Sequence, residues 1–149
     1  MQLFACSNKS NEMTSGGFNT VIADSIKISV TDSMKLKLTV GTKTFTVTLY
    51  SNPTVSAFKS RLPMTVNMRD LNNNEKFFDL PEKLPVNGSN PGTIQTGDLM
   101  LYGSNTLVLF YKSFATSYSY TLMGRIDDVN GFAAALGSGT VSVTFALSQ

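Results

Sequence analysis

The chain has 149 residues, 42% of them hydrophobic and 15% charged, with a formal net charge of +2. That is enough apolar material for one folded core, too little length for two ordinary domains, and fewer charges than the roughly 25% usual in soluble domains. There is no histidine and one cysteine, Cys6, which excludes Ser-His-Asp and Cys-His nucleophile pairs, imidazole metal sites, structural zinc and an internal disulfide.

The lysines, among them Lys35, Lys37, Lys43, Lys59, Lys76, Lys83 and Lys112, are scattered along the chain. No phosphate-tracking stripe forms, so nucleic acid is not an expected partner. Carboxylates, Lys and Tyr remain for proton chemistry, and Arg for electrostatic work. No cofactor or metal is implied.

Residues 1–33 read as an N-terminal segment and linker. Leu3-Phe4-Ala5-Cys6-Ser7 resembles the lipobox of a bacterial lipoprotein, in which the cysteine becomes the lipidated N-terminus. It lacks the upstream basic and apolar regions of a signal peptide, so this reading has the given sequence starting late; a chance L-F-A-C is the alternative. Residues 7–20 are polar, Gly/Ser/Asn-rich and without hydrophobic periodicity, as a flexible tether is. A tether beside the only cysteine favours the anchor and a bacterial cell-envelope location; without it the expectation is cytoplasmic. Val21 to Val30 is either a short strand or more linker. No stretch reaches the about 20 apolar residues that span a bilayer, so any membrane association runs through Cys6.

A mostly β domain is expected over residues 34–149. Met34, Leu36, Leu38 and Val40 alternate with polar residues, as do Phe45, Val47 and Leu49, predicting a half-buried hairpin that turns at Gly41-Thr42. Asn52-Pro53 supplies an N-cap and a first-turn proline, and Val55, Phe58 and Leu62 continue a helix of about ten residues until Pro63. Met64 to Arg69 and Glu75 to Leu80 read as strands around Asn72-Asn73-Asn74, and Pro81 to Gly92 as loop.

Asp98 to Tyr102, Thr106 to Lys112 and Tyr118 to Ile126 are β-prone runs. The continuous apolar stretch Leu107 to Tyr111 implies a strand covered on both faces. Asp127-Asp128 would place acid at the start of a second helix, Val129 to Leu136, ended by Gly137. Thr140 to Leu147 closes the set. About eight strands and two short helices describe a closed or nearly closed β-barrel.

Thr46-Val47-Thr48-Leu49-Tyr50-Ser51-Asn52-Pro53-Thr54-Val55-Ser56-Ala57-Phe58 resembles the cyclophilin segment in which a strand runs through a proline into a helix with an inward Phe. Gly124-Arg125-Ile126 with the following helix resembles the closing part of the same fold. L-N-N-N-E-K at 71–76, S-N-P-G-T-I at 89–94, G-D-L-M-L-Y-G-S-N at 97–105 and S-Y-S-Y-T at 117–121 are similar to the compact bacterial cyclophilin-like domains. The resemblance spans residues 34–147 and implies a cyclophilin-like closed barrel.

In cyclophilins, prolyl isomerisation uses an Arg that donates to the twisting amide, a Gln, an aromatic pocket with a Trp, and a His. Lowering a barrier of about 18–20 kcal/mol asks for a donor at the prolyl nitrogen and an apolar pocket. Arg69 falls where the family's Phe-His-Arg strand would be, but that Phe and His are missing, and the chain has no Trp or His. The expectation is a non-catalytic module of the cell envelope that binds a peptide or small molecule. The alternative is a divergent peptidyl-prolyl isomerase; a domain accessory to an oxidoreductase would need a partner the sequence does not name.

Candidate cleft residues are Arg69, Phe77, Phe110, Tyr118 and Tyr120, with Arg69 the catalytic group of the isomerase alternative. Each has a plainer reading. Arg69, next to Asp70 and near Glu75, fits a surface ion pair. Phe77-Phe78 and Phe110-Tyr111 point to opposite faces, so one of each belongs to a core. Tyr118 and Tyr120 share a face after the hydroxyl-rich Ser113 to Ser117, as packing or as a groove. Asp127 and Asp128 read as helix N-terminal acids, Asp98 as a turn residue, and Asn87 to Gly92 as a turn without a phosphate-binding signature.

Overall fold

The computed structural model describes residues 34–148; Cys6, the polar run 7–20 and the apolar run 21–30 lie outside them. Strands β1 (Lys35–Val40) and β2 (Lys43–Leu49) form the expected hairpin. Leu36, Leu38, Val40, Phe45, Val47 and Leu49 are buried on one face. Gly41, with φ +61°, takes the left-handed turn position that glycine adopts without a Cβ penalty.

Helix α1 (Pro53–Lys59) is capped by Asn52, whose side-chain oxygen accepts the Val55 N–H at 2.8 Å. It buries Val55 and Phe58, the latter edge-on to Phe145 at 5.7 Å. Its seven residues fall short of the expected length. Beyond Lys59 the chain tightens into i→i+3 bonds, Arg61 N–H to Phe58 at 3.0 Å and Leu62 N–H to Lys59 at 3.2 Å, ahead of Pro63.

Strands β3 (Met64–Leu71) and β4 (Glu75–Asp79) are joined by a tight turn in which Asn72 and Asn73 have φ of 57° and 56°. Asparagine is among the few side chains that tolerate two successive left-handed positions in a hairpin. There follow β5 (Thr93–Ile94), β6 (Asp98–Tyr102), β7 (Thr106–Phe110), β8 (Phe114–Ala115) and β9 (Thr121–Ile126). Helix α2 (Phe132–Leu136) and β10 (Val141–Leu147) complete the order.

Eight strands close a barrel in the order β1-β10-β3-β4-β7-β6-β9-β2, every neighbouring pair antiparallel. Its interior is filled by Leu36, Leu38, Val47, Leu99, Leu101, Leu107, Leu109, Met123, Val143 and Phe145, and both helices bury apolar side chains into the same core. Each fully buried Leu or Phe contributes about 1.5–3 kcal/mol. At Gly124 on β9 a Cβ would stand 2.6 Å from the Thr48 carbonyl oxygen of β2, so the close approach of these strands requires glycine.

A second apolar cluster lies on the other face of the sheet. Ile94, Met100, Val108, Phe110 and Tyr120 are buried there, with Phe77, Phe114 and Leu122 packed against them. The two-stranded β5–β8 sheet supplies Ile94 and Phe114 to this cluster. Leu107 and Leu109 therefore face the barrel interior, while Val108 and Phe110 face the outer cluster. The apolar run predicted to be covered on both faces is so covered.

Three further sequence expectations change. Asp127 and Asp128 precede α2 but lie outside its first turn, which carries no acid and starts from a left-handed Gly131. Asp127 instead accepts hydrogen bonds from Lys35, at 3.0 Å, and from Thr48 across the β1–β2 hairpin, and Asp128 accepts from the Asn130 N–H at 3.0 Å. Arg69 makes no ion pair with Asp70 or Glu75; Lys76 takes Asp70 at 3.1 Å. Thr93–Ile94, which the sequence assigns to no element, and Phe114–Ala115, within the break at Ser113 to Ser117, form the β5–β8 pair, which two-residue strands cannot announce by periodicity.

Candidate functional site

On β4, period-two alternation puts Glu75, Phe77 and Asp79 on the face away from the barrel interior. The register sets each beside a neighbour. Leu71 and Arg69 of β3 stand opposite Glu75 and Phe77, and Phe110, Val108 and Thr106 of β7 stand opposite Glu75, Phe77 and Asp79. One strand further, Tyr102 of β6 pairs with Thr106. The chain before β9 crosses at the edge through the Ser89–Tyr120 bridge.

These residues enclose a cleft of about 350 Å³, lined by Leu71, Asn72, Glu75, Phe77, Asp79, Tyr102, Thr106, Val108, Tyr118 and Tyr120. That volume is at the lower end of the roughly 300–1,000 Å³ of small-molecule sites. Tyr102 is a hub for the tyrosines, its ring centroid 6.3 Å from Tyr118 and 5.6 Å from Tyr120. Tyr120 is 4% exposed and rests edge-on against Phe110 at 5.5 Å, whereas Tyr118 is 62% exposed at the rim.

Phe77, Tyr118 and Tyr120 of the sequence-derived candidates thus line one cleft. Phe110 is fully buried behind it, supporting Tyr120 and Phe114. Arg69 is exposed beside it, with its guanidinium carbon 4.7 Å from the Phe77 ring centroid, within cation–π range. Cys6 lies outside the described residues.

Glu75 is the residue that sequence reasoning passed over. It is 8% exposed, lines the cleft, and has no hydrogen-bond or ion-pair partner among the described residues. Burial pushes its pKa from the ordinary 4.5 up to about 7, and the nearby Asp70 charge adds to the rise. Burial likewise raises the Tyr120 phenol, and the Glu75 charge reinforces it. The available signal was the alternation of β4, which puts Glu75 and Asp79 on the same face as Phe77. Tyr102 could have been found the same way, at the end of β6.

The neighbouring acid is handled differently. Asp70 accepts the Tyr111 hydroxyl and lies 3.1 Å from the ammonium of Lys76, which has no solvent exposure and also donates to the Gly139 carbonyl. The Tyr111 hydrogen bond, with Lys76 behind it, holds the Asp70 carboxyl below its usual range. The same site raises Tyr111 to about 12, chiefly through burial and then through Asp70. This network is internally satisfied. Among the described residues no three His, Cys, Asp or Glu side chains gather as a metal site.

No curated protein matches the chain. Among solved structures it is similar to the hypothetical protein AF2241 from Archaeoglobus fulgidus, with a TM-score of 0.53 and 19% identity, covering 78% of this chain and 95% of that one. At that identity the likeness is one of fold alone. A family model described as the cyclophilin-like family matches residues 38–146. The match runs through the hairpin, the barrel and the closing strand, and the chain belongs to the cyclophilin-like family.

Proposed function

We propose that the protein is a non-catalytic binding module whose ligand, a peptide segment or small molecule, sits in the cleft between Phe77 and the tyrosines Tyr102, Tyr118 and Tyr120. The observation that carries this reading is the concavity itself: four aromatic side chains around Glu75, a buried residue whose carboxyl has no partner among the described residues. Aromatic rings supply contact area at low entropic cost, and one convergent polar group fixes orientation. The test is a fragment library screened against the full chain by amide chemical-shift mapping. Hits should cluster on Glu75, Phe77, Tyr102 and Tyr118 and weaken about tenfold in Tyr118→Ala; a cleft silent to every fragment would end the binding reading.

Arg69 supports a second reading. Its guanidinium is exposed and borders the apolar cleft through Phe77, so a donor and an aromatic wall adjoin, as prolyl isomerisation asks. A protease-free assay on an Xaa-Pro peptide decides between them. Acceleration lost in Arg69→Ala would establish the isomerase, and none with folded wild-type protein would exclude it.

A cell-envelope location through lipidation of Cys6 completes the proposal, supported by the lipobox-like run and the polar stretch after it. Unchanged membrane fractionation of Cys6→Ser in the full-length protein would remove this part alone.

A further inference from the structure

Most acids of the barrel have a cation of their own. Asp70 holds Lys76 at 3.1 Å, Asp98 holds Arg125 at 2.6 Å, Asp127 holds Lys35 at 3.0 Å, and Glu82 has Arg61 at 3.7 Å. Glu75 is more than nine-tenths buried, borders the cleft and has none among the described residues. An ionised carboxyl in such a place is costly unless a positive charge reaches it.

The walls suit a particular kind of positive charge. Phe77, Tyr102, Tyr118 and Tyr120 present ring surface, and ring faces attract alkylammonium groups through their quadrupole. Arg69 over Phe77, at 4.7 Å, is the chain's own instance of that contact. Asp79 adds a second carboxylate on the same face of β4.

We infer that the cleft takes an organic ammonium group, its charge received by the Glu75 carboxyl and its alkyl substituents by the faces of Phe77, Tyr102, Tyr118 and Tyr120. The inference rests on the binding reading above and names the ligand class of the same site. The ammonium can belong to a free amine or to a lysine side chain of a peptide.

A pH dependence follows from the groups around Glu75. Asp70 of β3 repels its charge, Tyr111 after β7 and Tyr120 before β9 stay neutral, Lys76 is committed to Asp70, and Arg69 stands over Phe77. Free Glu75 holds its proton up to about pH 7. Binding of a cation releases that proton, so affinity rises as pH rises through this value.

The experiment is calorimetric titration of the full chain at pH 8 with choline, with its neutral isostere 3,3-dimethylbutan-1-ol, and with the peptide acetyl-Gly-(trimethyl-Lys)-Gly-amide. Choline or the peptide should bind at least about tenfold tighter than the alcohol, the tighter of the two identifying a free amine or a lysine side chain as the source. Glu75→Gln should remove the advantage, the exposed Tyr118→Ala should reduce it without affecting the fold, and choline affinity should fall between pH 8 and pH 5.5. Equal binding of choline and the alcohol would overturn the cation assignment while leaving a binding module. Binding of none of the three would also overturn it, and the fragment screen then decides separately whether the cleft binds anything.

Discussion

Lys76 and Asp70 meet at 3.1 Å with the ammonium wholly withdrawn from solvent, while Glu75, the residue beside Lys76, faces the opposite side of the sheet with no cation partner among the described residues. One step along β4 thus separates a satisfied ion pair from a carboxyl left open to the cleft. Asp70→Asn leaves a buried ammonium without its counter-charge and should cost about 3–5 kcal/mol. Lys76→Met leaves a carboxylate that keeps Tyr111 and some solvent, and should cost less, about 2–3 kcal/mol. Urea unfolding of both variants at pH 7 checks the order.

Glu75 gives stability a pH signature. Its folded pKa, about 7, stands above its ordinary 4.5, so the native state binds more protons than the unfolded chain between those values. Stability is therefore full below pH 4.5, falls as pH rises to 7, and levels off beyond; the span is about 2–3 kcal/mol. Asp70 and Asp127 have the opposite sign, their carboxyls held below the usual range, and their contribution is lost below about pH 4. Urea midpoints across pH 4.5 to 8 should decline in the wild type and stay flat in Glu75→Gln.

The aromatic residues should divide by place. Phe110→Ala empties a fully buried position beneath Tyr120 and should cost about 3–5 kcal/mol. Tyr118→Ala removes a ring that is 62% exposed and should change stability by no more than about 0.5 kcal/mol while weakening ligand binding. Thermal unfolding of the two variants, with a fragment hit titrated into the second, separates support from lining.

Gly124→Ala should destabilise by about 1–3 kcal/mol, because the new methyl would meet Thr48 backbone 2.6 Å away and Leu49 at 3.2 Å. The β2–β9 seam would have to open, so amide exchange should quicken first at Leu49 and Gly124.

Strands with a strict period of two were legible because a single alternation fixes both strand and face, as Leu36 to Leu49 shows. The barrel followed from their number and from the family resemblance. The limits of α2 were not legible: Asp127 reads as a helix-start acid, yet Lys35 and Thr48, distant in sequence, claim it. The cleft was half legible. Phe77, Tyr118 and Tyr120 stood out as aromatic, but Glu75 was one acid among several until the register put Leu71 on one side of it and Phe110 on the other. Arg69 drew attention by its place on the family's Phe-His-Arg strand, with an ion pair to Asp70 or Glu75 as its plainer reading, and only the fold shows that it stacks on Phe77 instead.

The most direct measurement is the titration of the Glu75 side-chain carboxyl carbon by NMR, first in the free protein and then with choline. The desolvated carboxyl of Glu75, without a partner among the described residues, predicts a midpoint near pH 7, moving downward when the cation binds. A midpoint in the ordinary carboxylate range, unmoved by choline, would mean that Glu75 is solvated or already paired, and would contradict the account of the cleft.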